Sequence, residues 1–194
     1  MKKALIIVDV QNDFCNRGAL AVSGADSIIS GINEAAKEFE IVVTTQDWHP
    51  LNHGSFAVNN PGMNPFEMGK LSGRDQIMWP VHCVIGSPGA DFHPDLDVNA
   101  VNFRKGSDVA ADSYSGFKDD DGKSTGLGEF LREKNVCEVF VCGLALDFCV
   151  KFTALDAKLQ GFNTSVLLNL TASVYPDNTP EVIKNLESNG ITVV

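Results

Sequence analysis

Residues 4–8, Ala-Leu-Ile-Ile-Val, are apolar at every position, and the run stops abruptly at Asp9. A strand with one wet face alternates, whereas a strand apolar throughout is buried on both faces, as in the middle of a parallel sheet. Parallel neighbours need crossover connections, so helical patterns should separate runs of this kind. They do. Ile28, Ile29, Ile32, Ala35, Ala36 and Phe39 recur at helical spacing, and Ile41-Val42-Val43-Thr44-Thr45 follows as a β-branched strand.

Residues 46–100 break the rhythm. They hold most of the prolines and all four histidines with poor periodicity, and a long irregular segment inside a compact domain is usually functional. Alternation resumes with a short strand at 101–103, a helix over 126–134, and a strand over 136–142 that ends at Gly143. A helix is predicted over 147–160, with Phe148, Phe152, Leu155 and Leu159 as its apolar stripe and Gly161 as its stop. A strand at 164–168, a helix opened by Pro180, and a strand at 191–194 complete the chain. The reading is α/β: a single three-layer domain over 1–194, with a mainly parallel central sheet flanked by helices.

With 194 residues, 44% of them hydrophobic, the chain can bury one sizeable core. Its net charge of −10 argues against nucleic acid or an anionic membrane as partner but is no obstacle to a neutral small molecule. The apolar run behind Lys2 and Lys3 is shorter than the roughly 7–15 residues of a secretory core, and nothing approaches the roughly 18 of a membrane span, so the expected location is the cytoplasm. Cys15, Cys83, Cys137, Cys142 and Cys149 form no Cys-x-x-Cys pair and are expected to be free thiols. Oligomeric state, monomer or homo-oligomer, stays open.

In open sheets of this class ligands bind beyond the carboxyl ends of the strands. Asp9 closes the first strand, Asp47 and His49 follow the second, and Cys149 follows the strand ending at Gly143. Cys149 falls in the first turn of the predicted helix, where free amides and the positive end of the dipole favour a thiolate and offer an oxyanion site. Locally, the pattern suits a buried structural thiol equally well. Asp47 and His49, two apart in extended chain, point to one side. With His82 they offer imidazole and carboxylate donors that suit zinc, iron or manganese, although loop histidines also cap turns. That second reading is the better one for His93, beside Pro94.

Five segments taken in order carry a resemblance. Asp9-Val-Gln-Asn-Asp-Phe14, Gln46-Asp-Trp-His-Pro50, Trp79-Pro-Val-His-Cys83, Lys105-Gly with Asp112-Ser-Tyr-Ser-Gly-Phe117, and Gly143-Leu-Ala-Leu-Asp-Phe-Cys149-Val resemble the motifs of the nicotinamidases (pyrazinamidases) of the isochorismatase-like cysteine hydrolases. The resemblance implies hydrolysis of nicotinamide, and of pyrazinamide, through a Cys149 thioester, in NAD salvage. It implies a catalytic set of Asp9, Lys105 and Cys149, and one divalent ion, zinc first with iron or manganese as alternatives, on Asp47, His49 and His82. His53 stands at a position that is a ligand in only some members. It further implies a cis peptide between Leu144 and Ala145, an oxyanion hole from the amides of Ala145 and Cys149, and a substrate pocket involving Phe14, Trp79, Tyr114 and Leu144. Leu146 and Phe148 stand where relatives often carry Thr and His or Tyr, which bears on fine specificity. The nearest alternative is an amidase of the same superfamily acting on N-carbamoyl or ureido substrates, a group that lacks the Asp-x-His metal set.

Overall fold

The computed structural model describes residues 2–194. Six parallel strands, β1 (Lys2–Val8), β2 (Ile41–Asp47), β5 (Val101–Lys105), β6 (Val136–Leu144), β7 (Asn163–Ala172) and β8 (Thr192–Val193), make one sheet in the order β5-β2-β1-β6-β7-β8. The chain winds outward from β1 in one direction through β2 and β5, then returns beside β1 with β6 and winds the other way. The reversal between β1 and β6 is the switch point at which such sheets open a crevice.

β1 is central and dry on both sides, as its composition predicts. Ala4, Ile6 and Val8 pack into one core cluster and Leu5 and Ile7 into the other. The first core lies under α2 (Leu127–Glu133), α3 (Lys151–Leu159) and α4 (Thr179–Ser188), and the second under α1 (Ala25–Ala36) and the long loop segment. This is the three-layer arrangement expected of the alternating pattern.

Three local expectations are corrected. First, the irregular segment contains an antiparallel hairpin, β3 (Met68–Leu71) and β4 (Arg74–Ile77). Its strands are largely exposed and polar, so they lack the apolar alternation that marks a strand. The Ser72-Gly73 turn, with both residues at positive φ, is the sequence signal that identifies it. Second, β5 runs on to Lys105, which therefore ends a strand and sits beside its register partner Asp47 of β2. Third, the helix expected over 147–160 opens with a wide π turn, Leu146–Val150, before α3 begins. The wide turn rotates the helix that follows. Thr153, Ala154 and Ala157 face the sheet, while Phe152 and Leu159 are 37% and 80% exposed. The small side chains let the helix lie close to the strands, which the large apolar residues would prevent.

Gly143, at φ 103°, lets β6 lie against β1 just before the crevice; a Cβ there would fall 2.2 Å from the Val8 carbonyl oxygen. Both the conformation and the space require glycine. Gly143→Ala should destabilise the fold by about 2 kcal/mol or more, seen as a lowered thermal midpoint in calorimetry; an unchanged midpoint would refute this packing.

Candidate active site

The carboxyl ends of β1, β2, β5 and β6 deliver four side chains to one point. Lys105 Nζ, fully buried, lies 2.9 Å from Asp9 Oδ2, 2.5 Å from Asp47 Oδ1 and 3.4 Å from Cys149 Sγ, and it donates to the Ser113 carbonyl at 2.8 Å. Thr45 Oγ1 donates to Asp9 Oδ1 at 2.6 Å. The Lys105 contact with Oδ2 is not an aligned hydrogen bond, so that oxygen keeps an open acceptor position. The carboxylate oxygens of Asp9 and Asp47 and the Cys149 sulfur come within 4.8 Å of one another. Asp9 itself stands at φ 47°, turning the chain out of the strand at this point.

The electrostatics differ from the expectation of a resting thiolate. Burial pushes the Cys149 thiol well up; Lys105 opposes this, and Asp9 and Asp47 add to it. Burial also raises Asp9 above the usual carboxylate range, against the pull of Lys105. For Asp47 burial acts in the same sense but Lys105 and His49 outweigh it and hold the carboxyl well below that range. Burial would strip Lys105 of its proton, but Asp47 and Asp9 keep it charged. The cation is thus held chiefly against Asp47. Cys149 remains a thiol beside a carboxylate of raised proton affinity.

The π turn shapes the backbone around Cys149. The Leu144–Ala145 peptide is cis. The amides of Phe148 and Val150 both donate to the Ala145 carbonyl, at 3.0 and 3.1 Å. Asp147, next in the turn, accepts the amides of Val174 and Tyr175 at 3.0 and 2.8 Å and ties the segment after β7 to it.

A second cluster lies against the first through Asp47. His49 Nε2 is 3.6 Å and His82 Nε2 4.0 Å from Asp47 Oδ2. Each histidine turns its Nδ1 to a backbone carbonyl, His49 to Gly106 at 2.7 Å and His82 to Pro80 at 2.8 Å. This leaves both Nε2 atoms aimed at the carboxylate, the outer-shell arrangement typical of metal-binding histidines. Burial, with His49, pushes His82 down to about 4, so its imidazole is neutral and free to ligate. The donor atoms lie within 4.8 Å of one another, a span that one ion with ligands at about 2.0–2.2 Å would bridge. His82, 33 positions beyond His49, arrives because the His49 amide donates to the Cys83 carbonyl at 3.0 Å and the Ile85 amide to the His49 carbonyl at 2.9 Å. His53 stands apart from this set. It packs on His49 with ring centroids 4.5 Å apart and groups with His49 and Asp112. Its Nδ1 contacts Ser55 Oγ at 2.8 Å, and its buried Nε2 has no hydrogen-bond partner among the described residues.

Between the two clusters and the surface lies a small pocket. Phe14, Trp79, Tyr114 and Phe148 form its aromatic walls, and Cys149, Ala145, Asp47, His49 and His82 its floor. Leu144 is the exception among the predicted pocket residues: its fully buried side chain belongs to the core packed under α1, and it is not part of the wall. Sequence reasoning missed three supporting residues. Gln11 clamps Asp47, donating to its carbonyl and accepting from its amide, both at 2.8 Å. Gln76 donates to Asp112 Oδ2 at 2.8 Å and to the Tyr114 hydroxyl at 3.0 Å, and Asp112 itself lines the pocket. Gln11 lies two residues past Asp9 inside a motif already singled out, so its position was available; Gln76 sits on the unrecognised hairpin.

The comparisons with known proteins agree with this geometry. The isochorismatase domain model matches residues 3–194. A nicotinamidase from Acinetobacter baylyi is 45% identical, over 88% of this chain and 81% of its own. A nicotinamidase pyrazinamidase structure from Acinetobacter baumanii superposes with a TM-score of 0.96 at 44% identity, covering 100% of this chain and 95% of that one. A pyrazinamidase from Pyrococcus horikoshii, solved in complex with zinc, has a TM-score of 0.84 at 35% identity, with 100% and 99% covered. On this similarity and on the shared fold, the chain belongs to the isochorismatase family.

Proposed function

We propose that this protein hydrolyses the carboxamide of nicotinamide to nicotinate and ammonia, acts likewise on pyrazinamide, and serves NAD salvage. The observation that carries the reading is the position of Cys149 Sγ, 3.4 Å from a buried lysine that also contacts Asp9, at the floor of an aromatic pocket. The kinship with nicotinamidases supports the choice of substrate.

In the mechanism Asp9 takes the Cys149 proton, and Lys105 holds the carboxylate in place and balances the charge. The thiolate attacks the carboxamide carbon and forms a C–S bond. The amides of Ala145 and Cys149 receive the developing oxyanion. Protonated Asp9 returns its proton to the departing nitrogen, which leaves as ammonia, and a thioester remains. Asp9 then deprotonates a water that attacks the thioester, nicotinate leaves, and the Cys149 sulfur regains its proton. Phe14, Trp79, Tyr114 and Phe148 hold the flat ring and exclude bulk water.

Asp47, His49 and His82 fit a divalent ion, zinc by their donor chemistry and by the zinc-bound relative, and when bound it supplies a Lewis-acid site that orients the pyridine nitrogen. An N-carbamoyl or ureido amidase would have no use for that set.

Two measurements test this. Ammonia release from nicotinamide should be readily detected, lost in a folded Cys149→Ala variant, and reduced about 10²–10⁴-fold in kcat by Asp9→Asn; wild-type turnover by Cys149→Ala would refute the nucleophile. Purified protein should hold one equivalent of metal, and chelation should lower kcat/KM by about 10-fold or more, reversed by added zinc. Metal-free protein of undiminished activity would exclude the orienting role.

A further inference from the structure

Outside the pocket, on the face carrying α3 and α4, a second cavity runs between the π turn and α4. Phe152, Leu155 and Tyr175 form its apolar side, with Lys151, Glu181 and Asn185 at its rim. Phe148 alone lines both this groove and the inner pocket. Its ring stands edge-on to Trp79 with centroids 5.0 Å apart, lies 5.5 Å from Tyr114 on the inner side, and 6.1 Å from Tyr175 on the outer side. One aromatic contact and one hydrogen-bonded anchor continue across this partition. Tyr114 of the pocket wall stacks on Phe152 of the groove at 5.4 Å and 21°, and Asp147 pins pocket-lining Val174 and groove-lining Tyr175 to the same turn.

We propose that Phe148 is the length-limiting specificity residue: its ring closes the substrate pocket against the outer groove and restricts the enzyme to single-ring amides. The inference rests on the carboxamide hydrolysis proposed above. The turn that carries Phe148 is held by backbone bonds to Ala145, so trimming the side chain removes the partition and leaves its support. The groove then becomes an extension of the pocket, with an apolar floor suited to a second ring.

The test compares kcat/KM for nicotinamide with that for two longer probes, 5-phenylnicotinamide and N-benzylnicotinamide, in the wild type, Phe148→Ala and Phe148→Leu. The wild type should hydrolyse nicotinamide and discriminate strongly against both probes. Phe148→Ala should raise the probe-to-nicotinamide ratio about 10-fold or more for at least one of them, Phe148→Leu should raise it less, and Asn185→Trp added to Phe148→Ala should reverse the gain by filling the groove. Unchanged ratios for both probes in an active Phe148→Ala variant overturn the proposal. If that variant folds but is inactive, calorimetry with 5-phenylnicotinate and N-benzylnicotinamide decides: tighter binding of either than by the wild type supports the partition, and no gain for either overturns it. Absence of ammonia release from nicotinamide by the wild type would instead overturn the underlying reading, and this inference with it.

Discussion

The ion pair between Asp47 and Lys105 joins the two halves of the site. Both residues end strands, they are register partners across β2 and β5, and both are buried. A lone ammonium in that position would lose its proton, and a lone carboxylate would gain one. Paired, they stay charged, and each has a free side. Asp47 turns Oδ2 toward His49 and His82, while Lys105 turns to Asp9 and Cys149. The pair therefore sets the distance between the donor set that would hold the ring and the sulfur that would attack the amide. Buried pairs of this kind are weak sources of stability; this one is explained by the geometry it imposes.

The electrostatics assign the parts. Burial pushes the Cys149 thiol up and raises the proton affinity of Asp9. In the proposed mechanism Lys105 would supply the charge that lets the proton move without leaving an unbalanced anion in a dry pocket. A permanently ionised thiol would need no neighbouring base and would be exposed to oxidation.

The framework was readable in advance because it rests on periodicity. The unbroken apolar run of residues 4–8 and the Val- and Cys-rich run of 136–142 identify strands of the sheet, and residues that follow such strands lie at the crevice, which makes the positions of Asp9 and the Cys149 turn legible in the sequence. Asp47 and His49 are legible from their spacing, and His82 joins them by donor chemistry and by the motif match, while its approach depends on backbone pairing between loops distant in sequence. The π turn was invisible because it follows hydrogen bonding and not side-chain pattern, and it misaligned the predicted stripe of α3. The helix-end argument for a thiolate weighs local dipoles only, whereas burial, first of all, pushes the Cys149 thiol up, with Lys105 opposing and Asp9 and Asp47 adding to it. Gln76 is buried, but the hairpin that carries it is built of largely polar, exposed strands with no periodic signal.

Rapid mixing with nicotinamide, acid quenching and peptide mass mapping would test the central claim most directly. A nicotinoyl group should be found on the peptide carrying Cys149 during turnover and should vanish once substrate is exhausted. Nicotinamide consumed while that peptide stays unmodified at every time point, or the acyl group found on another residue, would contradict the account.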